Sequence, residues 1–474
     1  MLEEATSGHQ LHSPQETRSN VSLNLPLPPE AMQRVAHYIE DIDTFFTFLE
    51  AFVETDVLGP FQHVWDLSLT VSRSKLWPNI SMSQESAYPS SVTMITPCYP
   101  AVNVIGQVDW VVLEQYIQPA TPLAWSYRHA PLNTLTPWMS QLRFHRIVSL
   151  HIDAAIDIGI VDVLPLIPQL RTLWMTVYDN RLTGALMSFV QYSAITSLSL
   201  HSDVVQDQDA SERSHLTSAH IGCLTKWLLH NPVCVLEMDS FQVRTTATAM
   251  KPFYEAVFDR AMPLRLYSQE GLPLPGLSTY GFAHPIGVRS LNLESCGLNA
   301  AATRTLSEGL VDSHVTILNI SYNDIGAVGV RAIARMLART RIRKLDMSSV
   351  GMDDTTCINL AAALPKSRVQ LLNLIGNDVS QVGACGLAAR VQSCPLLKVL
   401  YVQVNEVGVV GASTLIEGLG RREQAPGTLL CIFTSRRSKA EALYLTSLAT
   451  EFPSIEECCV HTSIVHSMRW SALT

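Results

Sequence analysis

V288-R-S-L-N-L293, V315-T-I-L-N-I320, I342-R-K-L-D-M347, V369-Q-L-L-N-L374 and L397-K-V-L-Y-V402 are one phrase written five times. Each copy is apolar at its first, fourth and sixth positions. The fourth positions, Leu291, Leu318, Leu345, Leu372 and Leu400, are separated by steps of 27, 27, 27 and 28 residues. So regular a period marks a solenoid, in which each unit buries its apolar side only against its neighbours.

The spelling follows from strand geometry. Successive side chains on a strand point to opposite faces, so apolar residues at positions four and six make a short strand with one buried face. Position nine is Asn323, Asn377 and Asn405 in three copies, with Cys296 and Val350 in the other two. An Asn there offers donors and an acceptor to turning backbone that the next coil would otherwise bury unpaired. A helical stretch follows each strand: Leu306 and Leu310, Ile333 and Leu337, Leu360 and Leu364, Leu387 and Val391, Leu415 and Leu419. Each pair is four residues apart and so lies on one helix face.

L-x-x-L-x-L-x-x-N/C followed by a helix, at this spacing, resembles the leucine-rich repeat in its ribonuclease-inhibitor-like form. The resemblance implies an α/β solenoid, a horseshoe with parallel strands on its concave face and helices on its convex face. Upstream the phrase continues in degenerate form as I147-V-S-L-H-I152, L170-R-T-L-W-M175, I195-T-S-L-S-L200, V233-C-V-L-E-M238 and A261-M-P-L-R-L266. Taking Leu150, Leu173, Leu198, Leu236 and Leu264 as fourth positions gives ten units in one frame. The long step from Leu198 to Leu236 implies an insertion at residues 203–218. Beyond Leu419, residues 427–433 read as a further strand, 441–448 as a helix and 455–460 as a closing strand.

The N-terminus reads differently. Residues 1–22 are polar and read as a disordered tail. In L25-P-L-P-P-E-A-M-Q-R-V-A-H-Y-I-E-D-I-D-T-F-F-T-F-L-E-A-F52 a helix can start at Pro28 and Pro29. A polar break at residues 40–43, with Asp43 or Thr44 as cap, leads to a second apolar helix. Residues 23–60 resemble the first half of an F-box, carried by Leu27, Pro28, Glu30, Met32, Val35, Ile39 and Phe45. The resemblance implies docking of Leu27, Pro28, Met32, Val35, Ile39 and Phe45 on the small adaptor subunit of a cullin–RING ubiquitin ligase. The second half departs from that pattern: T55-D-V-L-G-P-F-Q-H-V-W65 replaces the usual basic helix, and a Trp comes only later, in S74-K-L-W-P78. The same helices also fit a cap on the end of the solenoid. Residues 61–145 are irregular, degenerate repeats, in which V64-W-D-L-S-L69 fits the strand spelling and the Ser/Pro-rich residues 81–100 read as a surface loop. The repeat domain proper is expected over 146–474, with a C-terminal cap.

The 474 residues are 47% apolar, enough for a large core. The net charge of -9 and pI near 5.9 argue against general nucleic-acid binding. No apolar run reaches the roughly 20 residues of a membrane helix. Ten cysteines without a C-x-x-C pair or ligand spacing read as free thiols, which points to a cytoplasmic or nuclear protein with no metal. There is no G-x-x-x-x-G-K-S/T, H-E-x-x-H or G-x-S-x-G. The expectation is a chain without catalytic residues or cofactor.

What remains is a surface. Positions three, five and seven point away from the core and stack in columns. Aromatic residues and Arg are the usual anchors of protein interfaces, which selects Trp174, Arg265, Tyr267 and Tyr401. His201, Glu237, Asn292, Glu294, Asn319 and Asp346 complete the candidate target-binding face, with the carboxylates read as solvated. A basic cluster at Arg331, Arg335, Arg339, Arg341, Arg343 and Lys344 reads as a solvated convex surface. The function expected is a non-catalytic adaptor that selects a target protein for a ligase. The alternative is a stand-alone repeat scaffold or inhibitor.

Overall fold

The computed structural model describes residues 28–461 apart from 56, 84–87, 107, 119, 129–140, 155, 157, 204–213, 260–263, 404, 423–427 and 434–438. The chain divides into two compact units, one of residues 1–80 with 88–100 and one of residues 81–87 with 101–474.

In the larger unit the repeat phrase becomes one ladder. Fifteen of the described strands form a single sheet, every neighbouring pair parallel and every neighbour the next main-sheet strand in the chain. Its register is one column of fourth positions. Met82, Val104, Trp125, Leu150, Leu173, Leu198 and Leu236 run into Tyr267, Leu291, Leu318, Leu345, Leu372, Leu400, Leu430 and Cys458. The side chains from Met82 to Leu400 are buried. Burying each such Leu is worth about 1.5–3 kcal/mol relative to exposure, so the column is the main cohesive element between units. The fold is a leucine-rich-repeat solenoid.

Helices return the chain from strand to strand. Ala300–Leu310, Gly326–Met336, Asp354–Ala363, Gln381–Val391 and Gly408–Gly420 carry or adjoin the paired residues expected to face the core, and all of those are buried. The asparagines do what their position demands. Asn323 donates through Nδ2 to Leu293 O at 2.8 Å and Ile320 O at 3.0 Å, while its Oδ1 accepts from Leu298 N at 2.9 Å. Asn377 and Asn405 make the same bridges two and three coils later. Strand Thr428–Phe433, helix Lys439–Thr450 and strand Ile455–His461 match the expected end of the array.

Several expectations need correction. The frame of ten strands is too short, because strands Ser81–Ser83, Val102–Ile105 and Leu123–Arg128 precede it. Residues 81–100 are therefore not simply a loop; they also contain buried Val92, Ile95, Cys98 and Tyr99. The unit at Leu264 is misregistered. Tyr267 pairs with Leu236 and Leu291, so it holds the fourth position, and Leu264 and Arg265 lie before the strand Leu266–Glu270. The two steps become 31 and 24 residues. Of the expected insertion, 204–213 lies outside the described residues. The rest is structured: strand His215–Thr217 pairs with Gln242–Arg244 beside the main sheet, and helix Ser218–His230 follows.

The smaller unit is helical: Pro29–Ala36, Ile42–Glu50, Phe61–Ser68 and Arg73–Leu76. V64-W-D-L-S-L69 is thus helix, not strand, and Val64 and Leu67 share its buried face. The cap of the second helix is Asp41, which accepts from Thr44 N at 2.7 Å, rather than Asp43 or Thr44. Phe45, Phe46, Phe61 and Trp77 form the core; the Trp77 ring stacks on Phe45 at 3.7 Å and its Nε1 donates to Ile39 O at 2.6 Å. The polar tail lies outside the described residues.

Candidate functional site

The face of the sheet turned away from the helices is built from positions three, five and seven. Strands there are only three to seven residues long and lie about 4.8 Å apart, so neighbouring side chains must either pair or cover one another. They pair. Asn292 Nδ2 donates to Ser268 Oγ at 3.0 Å, Asn319 Nδ2 to Glu294 Oε2 at 2.8 Å, and Asn373 Nδ2 to Asp346 Oδ2 at 2.7 Å. Asn319 Oδ1 accepts from Ser321 N and Oγ, and Asp346 Oδ1 accepts from Ser348 N and Oγ. Positions five and seven consequently form a polar ladder running across the strands.

That ladder changes the reading of the candidates. Asn292, Asn319 and Asp346 are 3%, 1% and 7% exposed, so their amides and carboxylate hold the wall together rather than project from it. Asp346 was expected to be solvated; burial instead raises its pKa against the lowering effect of its hydrogen bonds. Glu294 is half-buried, and desolvation raises its pKa too. Tyr267 is removed from the face altogether: it is fully buried, with its hydroxyl donating to Gln269 Oε1. Arg265 stays exposed but at the start of the strand.

The other candidates remain on the face. Trp174 is half-buried and stacks on His151 at 4.0 Å. Glu237 accepts from Ser199 Oγ. His201 Nδ1 lies 2.5 Å from Asp239 Oδ2, and this hydrogen bond raises the His201 pKa. Tyr401 is 5% exposed and packs with Leu371, Ile375, Val399 and Cys459 into an apolar patch near the C-terminal end of the array.

Glu270 was missed, because the wrong register placed Tyr267 at its position. Burial pushes its pKa up to about 7, and Asp239 and Glu294 on either side add repulsion. The signal was present in L266-Y-S-Q-E270: Tyr267 alternates correctly, but polar Gln269 at position six disguises the phrase.

In the helical unit the adaptor candidates separate. Met32 and Phe45 are fully buried and serve the core, which corrects their assignment as contact residues. Pro28 and Val35 are exposed, Ile39 is half-buried, and Leu27 lies outside the described residues. Tyr38, not singled out by sequence, is 90% exposed in the turn that follows the first helix. Among the described residues no group of His, Cys, Asp and Glu is arranged to hold a metal ion, and no helix is long and apolar enough to cross a membrane.

A family model described as a leucine-rich repeat matches residues 311–334. The chain is 32% identical over 139 residues to NACHT, LRR and PYD domains-containing protein 5 of Bos taurus, covering 28% of this chain and 13% of that protein. It is 26% identical over 211 residues to the ribonuclease inhibitor of Sus scrofa, covering 38% of this chain and 42% of that protein. The chain thus spans less than half the length of either relative. Among solved structures, a TLR13–ssRNA13 complex aligns over 81% of this chain and 50% of that one at 12% identity and a TM-score of 0.34. Leiomodin-1 actin-binding site 2 aligns over 32% of this chain and 87% of that one at 14% identity and a TM-score of 0.27.

Proposed function

We propose that this chain is a non-catalytic protein-binding scaffold whose open sheet face takes a protein partner. One observation carries the reading: the outward positions of successive parallel strands are tied together by Asn292–Ser268, Asn319–Glu294 and Asn373–Asp346. A surface already ordered in this way loses little conformational entropy on binding. The relative named a ribonuclease inhibitor supports a binding role. Cross-linking of captured partners through lysine tests it. Cross-links at Lys344 and Lys398, beside the open face, are expected; cross-links confined to Lys226 and Lys251 on the helices would overturn it.

A second, narrower reading is favoured by the helical unit. Its own core closes on Trp77, and it leaves Val35 on the first helix and Tyr38 in the turn after it exposed. This supports an F-box-like module that docks on the adaptor subunit of a cullin–RING ubiquitin ligase, so that the open face selects a target by raising its effective concentration beside the ligase. Co-purification with that adaptor, lost on Val35→Asp with Ile39→Asp, is the expected result. If the unsubstituted chain does not retain the adaptor, the stand-alone scaffold is the correct form of the proposal.

A further inference from the structure

The two edges of the open face carry opposite charge. At the edge where strands begin, Arg265, Arg289, Arg341, Arg343, Arg368 and Lys398 are all exposed. Backbone hydrogen bonds carry this edge from coil to coil: Ser290 N to Arg265 O, Thr316 N to Arg289 O, Arg343 N to Thr316 O, Gln370 N to Arg343 O and Lys398 N to Gln370 O. None of the six side chains forms a hydrogen bond or ion pair among the described residues. Asp312, an acid on the same side, is taken up by Arg339 at 2.7 Å.

At the opposite edge, where strands end, stand Asp239, Glu270, Glu294, Asp324, Asp378 and Glu406. Asp239, Glu270 and Glu294 hold position seven of three neighbouring strands, and Asp324, Asp378 and Glu406 hold position ten of later coils, three residues further along. Burial, and then repulsion from Asp239 and Glu294, raises the Glu270 pKa, while His201, bonded to Asp239, lowers it.

Magnitudes decide how these rows act. Positions two and seven are five residues apart, about 16 Å at the rise of a strand, and the acids at position ten lie further along the chain. The Debye length at physiological salt is about 8 Å, so each row acts on what lies beside it rather than cancelling the other. From the strand after Arg265 to the strand after Lys398 there are five strand spacings, about 24 Å. A helix is about 10–12 Å wide and would cover that length in about 16 residues, so one helical segment fits between the rows.

We infer that the open face takes an elongated protein segment lying across the strands, with an acidic flank along Arg265, Arg289, Arg343 and Lys398 and a basic flank along Asp239, Glu270, Glu294 and Asp378. The inference rests on the open face being the binding surface and adds the chemistry and direction of its partner. Opposed rows reject a segment laid in the reverse direction, because like charges then face each other on both sides.

The test is selection of a displayed library of helical peptides, randomised at every exposed position, on the full chain. A counter-selection uses the variant Arg265→Glu, Arg343→Glu, Lys398→Glu. Clones that prefer the unsubstituted chain by about tenfold or more are expected to carry Asp/Glu on one flank and Lys/Arg on the other. Such clones bearing one sign only, or mixed signs on both flanks, would overturn the inference. Parallel selection against Ile375→Arg, within the face, separates the two levels. Clones sensitive to Ile375→Arg but without segregated charge leave the face as a binding surface and remove only the charge inference. No clone sensitive to either variant removes both. If the triple variant loses its cooperative melt, Arg343→Glu alone serves for counter-selection.

Discussion

Asn377 Nδ2 donates to the backbone oxygen of Met347, thirty residues earlier in the chain, at 2.9 Å. Its Oδ1 accepts from Val350 N and Met352 N of the same preceding coil at 3.1 and 3.0 Å. One side chain thus satisfies backbone on two turns of the solenoid, in a place closed to water. Asn377→Ala leaves these groups unpaired. At about 1–3 kcal/mol for each buried unsatisfied group, a total loss of about 3 kcal/mol is expected in urea denaturation. Hydrogen exchange at Val350 and Met352 should accelerate more than at Leu298, which is served by Asn323. Uniform acceleration along the array would count against a local role.

Tyr267 and Leu264 give a direct test of register. Both are buried, but only Tyr267 stands in the column with Leu236 and Leu291. Tyr267→Ala should destabilise by about 3–5 kcal/mol, as expected for removing a large core aromatic. Arg265→Ala, at an exposed site, should fall within about 0.5 kcal/mol of zero. Equal effects would restore the frame in which Arg265 and Tyr267 both face outward.

The same locus shows what was legible in the sequence. From Leu291 to Leu400 apolar spelling, period and Asn position all agree, and the strands fall where they read. At Tyr267 an aromatic at position four and Gln269 at position six break the spelling, and the nearby A261-M-P-L-R-L266 imitates it. Strands at Val102–Ile105 and Leu123–Arg128 were silent for the same reason, with Trp125 rather than Leu in the column. The face was legible as a set of columns but not as a polar ladder. Whether Asn319 projects or pairs depends on how close Glu294 comes, and period alone does not contain that distance. The basic edge was written in position two and part of the acidic edge in position ten, away from the outward positions three, five and seven that drew attention.

In the helical unit, Trp77 separates folding from docking. Its ring packs on Phe45, Phe61 and Tyr99, so Trp77→Ala should cost about 3–5 kcal/mol and lose the near-ultraviolet dichroism of this cluster. Val35→Asp and Tyr38→Asp change exposed side chains and should leave that signal intact. A loss of the signal in the Asp variants would mean that Val35 and Tyr38 serve the core, and an effect on partner binding would then say nothing about docking.

The acidic row makes stability depend on pH in a stated direction. Glu270 has its pKa raised by burial, then by Asp239 and Glu294, from the ordinary Glu value of 4.5 to about 7 in the folded chain. The folded state therefore binds this proton more tightly than the unfolded state, and stability falls as pH rises between about 4.5 and about 7. His201 acts in the same sense, since its bond to Asp239 raises its pKa and the stabilisation is lost as pH climbs through the raised value. Asp41 and Asp353, held below the ordinary Asp range by hydrogen bonds from Thr44 and Thr356, lose their contribution only at lower pH and leave this window clear. Glu270→Gln keeps the shape and removes the charge. The variant should melt higher than the unsubstituted chain at pH 8, with the difference shrinking towards pH 4. Melting curves that stay parallel across that range would show that Glu270 titrates like a solvated carboxylate, and that the acidic row is too open to act as a unit.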